Sequence, residues 1–482
     1  MKKEMLAVSI EKANGRFYTP DFIVGNILDL SDYKGLNILK KHVMDNSCGD
    51  GAFLTAVVDR YCREFFKTSR SLQTLAEELS CYIHGIDIES EACLICKNNL
   101  DKAASLYGLK NVDWDIMCAD ALTVDKYNNK MDFVLGNPPY VRVHNLGNCI
   151  DIVKKYSFAQ NGMTDLYIVF FEIGLKMLGD KGTLGYITPS SFFNSLAGKY
   201  MRSFFVQNNL LDKIVDLKHF MAFDSTTYTA ITILKKCREI NTTDYYVFDE
   251  KSNLPHFSDT LTGKDYYFGG NFYFADKTEL QKLKEILSCD KKENFIVKNG
   301  FATLADGFFI GDFEFDKYTI PVVKASTGKR NKCIFPYEKG KLISYDDLTT
   351  DVCMKKYFET HKMRLLKRCL EKNGVWYGFG RSQGINDVYR CKYAVNAIIK
   401  TPLDLKLTKC EKGVGVYGGL YILTEVEESE LREILYHSDF IAYISLLGKY
   451  KNGGYYTFSS KDLKNYLEYK YSQRNLHKNE QR

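Results

Sequence analysis

Asn137, Pro138, Pro139 and Tyr140 stand in a row and combine a side-chain amide, two rigid turns and an aromatic ring. An amide oxygen and a backbone carbonyl held stiffly together can accept both hydrogens of an exocyclic amine. The tyrosine face can stack on the flat ring that carries the amine. Such a set suits methyl transfer to a planar amino group. The preceding Met131–Gly136 is an apolar run that ends in glycine, the pattern of a buried strand delivering the four residues to a sheet edge.

Three acids upstream have a matching logic. Asp45, Ser47, Cys48, Gly49, Asp50 and Gly51 form a turn between an apolar strand and a helix start. Glycine there lets the backbone approach a ligand closely. The turn lacks the fuller GxGxxG or GK[ST] spacing of phosphate loops, and its two aspartates would repel phosphate. They suit a ligand carrying an ammonium group. Asp87 ends the next apolar run and Asp120 follows a weaker third one. In doubly wound folds a carboxylate at such a strand end accepts from ribose hydroxyls, and successive strand ends line the binding crevice. Asp120 suits an adenine amino group. Thr19-Pro20-Asp21 has the make-up of a helix start, with Thr19 as cap and Pro20 in the first helical position. The hydroxyl and the amides beside it could also hold a carboxylate.

These residues need an α/β scaffold. Strands are expected at His42–Asp45, Tyr82–Asp87, Phe133–Leu135, Thr183–Thr188, Lys213–Leu217 and Thr229–Leu234. Amphipathic helices are expected at Ala52–Thr68, Glu89–Leu106, Asp165–Leu178 and Ser195–Asn208, with an inserted helical stretch at Leu72–Ser80. Strands alternating with helices predict a mainly parallel, doubly wound sheet. Residues 237–275 are polar and turn-rich and read as a linker or domain boundary; a helix at Lys277–Leu287 and an aromatic, glycine-punctuated α+β region follow. A chain of 482 residues exceeds one ordinary core, and the predicted division is 1–244 and 245–482. No run of 18 apolar residues occurs, which argues against a membrane helix. The 14 scattered cysteines suit reduced intracellular thiols, and Cys93 and Cys96 read as packing residues of a helix. Residues 1–240 balance 28 basic against 28 acidic residues, while the remainder holds 38 against 32. The surplus charge therefore lies in the second half, as a polyanionic partner would favour.

Gly15–Pro20, Asp45–Gly51, Asp87, Asp120 and Asn137–Tyr140, in that order, resemble the adenine-N6 DNA methyltransferases of the TaqI-like, or gamma, group. The resemblance continues through Thr164–Tyr167, Gly182–Phe193 and Phe220–Tyr228. It extends to Gly300–Ile310, Gly374–Gln383 and Gly448–Tyr456, which look like parts of that family's target recognition domain. It implies a Rossmann-like methyltransferase domain over 1–244 and a mixed α+β DNA-reading domain over 245–482. It implies S-adenosylmethionine as cofactor, with Thr19 at its carboxylate and Asp45, Ser47, Cys48, Gly49 and Gly51 at the methionine moiety. Asp87 would serve the ribose, Ile88 and Ala121 the faces of the adenine, and Asp120 its amino group. Asn137 and the Pro138 carbonyl would accept from the target amine, with Tyr140 and Phe223 as aromatic contacts. No metal is called for. The implied partner is double-stranded DNA, not a membrane, in a bacterial cytoplasm and close to the nucleoid. One adenine per site is compatible with a monomer. A cognate restriction endonuclease, where one exists, is expected as a separate chain. Lys329, Arg330, Lys332, Arg381, Lys449 and Lys451 are candidates for phosphate contacts. RNA or a protein glutamine amide is the alternative substrate, because an Asn-Pro-Pro-Tyr strand end serves any planar amine. The long basic second half favours DNA over both.

Overall fold

The computed structural model describes residues 19–142, 150–223, 227–289 and 293–480. Two compact units divide the chain at Gln281 and Lys282. In the first, the predicted strands form as β1 (Val43–Asp45), β2 (Ile83–Asp87), β3 (Asp115–Cys118), β4 (Met131–Gly136), β5 (Leu178–Pro189), β6 (Leu211–Asp216) and β7 (Thr229–Lys235). Helices α1 (Asp21–Leu30), α2 (Ala52–Phe65), α3 (Leu72–Tyr82), α4 (Ser90–Ser105), α5 (Leu166–Met177) and α6 (Lys199–Gln207) lie between them. The helix α3 is the stretch expected as an insertion, and it accounts for the distance in sequence from the glycine turn to Asp87.

With β8 (Thr243–Asp249) and β9 (Leu254–Leu261), the strands make one nine-stranded sheet in the order β3-β2-β1-β4-β5-β7-β6-β8-β9. The β3-β2-β1-β4-β5 half is parallel, and β7 runs antiparallel to both β5 and β6. All three residues of β1 are buried, as befits a central strand covered on both faces. The chain leaves β1 toward β2 and β3, then returns to its other side with β4. Strand order reverses there, and in open α/β sheets the crevice beyond such strand ends takes the ligand.

The expected linker at 237–275 is not a linker, and the boundary at 244/245 is moved to 281/282. Strand β8 pairs parallel with β6, and β9 pairs antiparallel with β8. Their polarity is that of a sheet edge, where one side meets solvent. Next, Tyr267–Phe268 pairs with Asn271–Phe272 across Gly269 and Gly270, whose φ angles are +59° and +77°. A two-residue hairpin turn of this kind needs φ above zero at both positions. Cys93 and Cys96 are buried residues of α4. No described helix is long and apolar enough to cross a membrane.

The second unit, Lys282–Arg482, is mixed α+β. One sheet joins Ile296–Asn299, Leu420–Leu423, Lys392–Val395 and Leu407–Cys410; another joins Lys329–Ile334, Thr319–Lys324 and Gly415–Tyr417. Its core is aromatic. Phe301 stacks on Phe379 with ring centroids 4.5 Å apart, and Ala302 bridges Arg381, so Gly300–Ile310 and Gly374–Gln383 meet. Phe301, Phe308, Phe309 and Phe379 are buried; these stretches supply core as well as any surface.

Candidate active site

Strands β1 and β4 pair with Val43 opposite Phe133 and Met44 opposite Val134, which brings Asp45 beside Gly136. A Cβ on Gly136 would lie 2.6 Å from Asp45 Oδ1, so glycine is required where the carboxylate crosses the strand. Asp45 is only 2% exposed. Its Oδ1 accepts from the Ser47 N–H at 3.0 Å, and no described cation pairs with it. Burial pushes its pKa up to about 8, with the nearby Asp87 and Asp50 adding to the rise and the Ser47 amide opposing it. An unpaired buried carboxylate is costly, and such groups mark sites where a ligand is to be met.

The turn after Asp45 is tied to the neighbouring strand ends. Cys48 N–H donates to the Ile86 carbonyl at 2.9 Å. Gly49 N–H donates to Asp87 Oδ2 at 2.9 Å, and Glu89 N–H to Asp87 Oδ1 at 3.0 Å. Ser47 Oγ donates to the Asn137 carbonyl at 3.2 Å. Gly51 has φ of +91°, and a Cβ there would meet Cys96 Sγ at 2.8 Å; no other residue fits. Ile88 is 64% exposed beside Asp87, whereas Ala121 is buried and offers little surface. Asp120 accepts from the Leu122 N–H at 2.9 Å.

Thr19 does not cap α1. The helix begins at Asp21 without a side-chain cap bond, and the Ile23 and Val24 amides donate to the Pro20 carbonyl. The buried Thr19 hydroxyl instead accepts from Asn137 Nδ2 at 3.1 Å. With its NH2 end committed to Thr19, the Asn137 amide turns its oxygen to the other side. Tyr140 donates its hydroxyl to the Ile187 carbonyl at 3.1 Å, and burial of that end, with Tyr167 close by, holds its pKa well above the usual phenol range. The ring meets Tyr167 and Phe223 edge-on, with centroids 6.3 and 6.0 Å away. Phe223 is 7% exposed, so in this geometry it backs Tyr140 and does not present a second open face. Tyr167 was not foreseen in this role. Its signal was present: it is the second residue of α5, whose start is tied to the Asn-Pro-Pro-Tyr segment, since the Val141 carbonyl accepts from the Leu166 amide at 2.8 Å. Gly15–Tyr18 and Asp224–Thr226 lie outside the described residues.

In the second unit the basic candidates separate. Lys332 pairs with Asp316 and Lys449 with Asp462. Arg330 donates to the Lys409 carbonyl, and Arg381 to the carbonyls of Cys369 and Gly380. Lys329 and Lys451 are exposed.

Residues 81–223 match the family described as Eco57I restriction-modification methylase. The chain is 33% identical over 239 residues to the Type II methyltransferase M.BstVI of Geobacillus stearothermophilus, covering 46% of this chain and 42% of that protein. It is 25% identical over 482 residues to the Type II restriction enzyme and methyltransferase RM.Eco57I of Escherichia coli, covering 77% and 47%. The Type II methyltransferase M.XhoI of Xanthomonas vasicola is 27% identical over 336 residues, covering 62% and 60%. The chain thus spans about half the length of these relatives. Among solved structures, the Type IIL restriction-modification enzyme MmeI in complex with DNA shares the fold with a TM-score of 0.59 at 11% identity, covering 95% of this chain and 65% of that one.

Proposed function

We propose that the chain is a site-specific DNA adenine-N6 methyltransferase that uses S-adenosylmethionine and serves a restriction-modification or epigenetic system. The observation that carries the reading is the Asn137 amide. It stands at the switch point of the sheet, is oriented by Thr19, and has the half-buried ring of Tyr140 beside it and a buried acid, Asp45, across the strand. The cofactor fits these residues. Asp45 suits its ammonium, the turn through Gly49 and Gly51 lets backbone approach it, and Asp87 and the exposed Ile88 suit ribose and purine. When bound, S-adenosylmethionine supplies an electrophilic methyl group.

An adenine amine is a poor nucleophile because its lone pair is conjugated with the ring. Asn137 Oδ1 and the Pro138 carbonyl accept its two hydrogens, favour the pyramidal form and stabilise the positive charge that develops on nitrogen, which then sheds one proton to water. Placing acceptors where charge appears is usually the largest single contribution to catalysis. No residue has to take a proton before transfer begins. The target must first leave the duplex at a cost of a few kcal/mol, and stacking on Tyr140 returns about 1–3 kcal/mol. Phe223 and Tyr167 hold the tyrosine upright for that purpose.

Charge supports DNA as the substrate. Residues 282–482 carry 35 basic against 25 acidic residues, whereas 1–281 carry 31 against 35. The names of the relatives and the DNA complex of the fold neighbour agree with it. We assign the second unit to target recognition on the same grounds. Tritium transfer from labelled S-adenosylmethionine to duplex DNA, ribosomal RNA and protein, run side by side, tests the reading. Label should appear in DNA as N6-methyladenine; label confined to RNA or protein would sink it.

A further inference from the structure

Two large apolar side chains stand in solvent on segments tied to Tyr140. Met163 is 78% and Leu196 66% exposed. Met163 lies two residues before Asp165, which bridges Arg142, itself two residues after Tyr140. Leu196 lies on the segment that follows β5. That segment reaches the same ring, because Tyr167 and Ser191 hydroxyls are 3.1 Å apart and the Tyr140 hydroxyl bonds Ile187 at the end of β5. The two loops touch: a Cβ on Gly162 would lie 3.4 Å from the Leu196 side chain.

Scattered exposed leucines are ordinary; this one is on a segment held with unusual care. Arg202 is 2% exposed. Its guanidinium donates to the carbonyls of Phe192 and Ser195, and to that of Gly270. Gly198 is packed so closely that a Cβ would come within 2.6 Å of the Phe192 carbonyl. A buried cation and a close-packed glycine therefore fix a loop that carries a solvated leucine. Rigid apolar side chains beside a site that handles bases have a clear use, since Leu and Met wedges enter base steps and unstack them.

We propose that Leu196, with Met163 beside it, is a wedge that enters the DNA base stack and occupies the space vacated by the extruded adenine. The proposal rests on the reading of the chain as a DNA adenine methyltransferase. By filling the gap, the wedge keeps the base from swinging back, so it positions the target without touching the transferred methyl group. The test compares the parent chain with M163A/L196A on two duplexes carrying the site located by sequencing methylated DNA. One duplex is fully paired, and the other lacks the base opposite the target. The double variant should methylate the paired duplex at least tenfold more slowly. It should show a smaller 2-aminopurine fluorescence rise at the target and come within threefold of the parent on the duplex with the missing base. S-adenosylhomocysteine binding by calorimetry should match the parent. Equal loss on both duplexes, or none on either, overturns the wedge while leaving the methyltransferase reading intact. A parent that methylates no DNA overturns both.

Discussion

The two ends of the central sheet treat their acids in opposite ways. At the N-terminal ends of β4 and β3 the aspartates Asp132 and Asp115 both have partners. Asp132 pairs with Lys41 at 2.9 Å and accepts from the His42 amide. Asp115 pairs with His84 at 2.7 Å and Lys126 at 3.2 Å, and accepts from Tyr127. Burial alone would raise the Asp115 pKa, but the bonds from His84, Tyr127 and Lys126 outweigh it and hold the group below the usual carboxylate range. At the C-terminal ends Asp45 is more deeply buried, has no described cation, and is pushed up to about 8. The same fold could have paired it. Stability lost at one rim and kept at the other is the mark of a site arranged for something that arrives later.

The sharpest way to break this contrast is Asn137→Ala. It removes an acceptor at the developing charge and should lower methyl transfer by about 10²–10³-fold. S-adenosylhomocysteine binding should stay within threefold, because the Asp45 turn is untouched. Near-normal turnover would remove Asn137 from the chemistry.

Asp45→Asn comes next. Losing a charge-assisted bond to the cofactor should weaken its binding by about 10–100-fold. The sign for stability is opposite. A carboxyl whose folded pKa lies above its unfolded value of 3.8 stabilises the fold fully below that value and loses the contribution as pH rises through about 8. Ligand-free protein should therefore weaken between pH 4 and 8, by up to about 5 kcal/mol for a fully dry site. The asparagine variant should lack that part of the slope in urea titrations. An unchanged slope would show that Asp45 already has a cation.

A smaller loss is expected from Tyr140→Ala. Removal of the stacking face should cost about tenfold in transfer, with a weaker 2-aminopurine fluorescence rise. Tyr140→Phe retains the ring and should remain within a few-fold of the parent. An undiminished fluorescence rise in the alanine variant would place the stacking surface elsewhere.

What could be read from the sequence was whatever repeats along it. Apolar runs with glycine and acid ends placed β1, β2 and β4 and the residues at their tips. The partner of Asn137 could not be read that way. Thr19 is 118 positions away, and its neighbourhood, Thr-Pro-Asp, spells a helix cap equally well. Phe223 was found as a type, but its edge-on orientation against Tyr140 depends on packing across β5. Strands β8 and β9 were hidden by their edge polarity, although the Gly269-Gly270 pair between aromatic residues is a hairpin signal in its own right. Sequence pattern thus located the residues at the C-terminal strand ends but not the contacts at the opposite rim, because the hydrogen bonds and ion pairs that join Lys41, His42, His84, Asp115, Lys126 and Asp132 have no spacing rule.

That opposite rim supplies the smallest and most discriminating prediction. His42 and His84 share a hydrogen bond at 2.9 Å, and burial lowers the pKa of both in spite of the aspartates beside them. A histidine whose folded pKa is below its unfolded 6.5 stabilises the fold above that value and loses the contribution as pH falls. The parent should thus lose about 1 kcal/mol or less between pH 7 and pH 5 from this pair, opposite in sign to the Asp45 contribution over the same interval and so read as a difference between parent and variant. In thermal unfolding, His84→Asn should gain stability relative to the parent as pH falls from 7 to 5, and it should leave methyl transfer at pH 7.5 within twofold of the parent. A tenfold fall in transfer would mean that the paired acids serve the reaction as well, and the contrast between the rims would no longer separate stability from function.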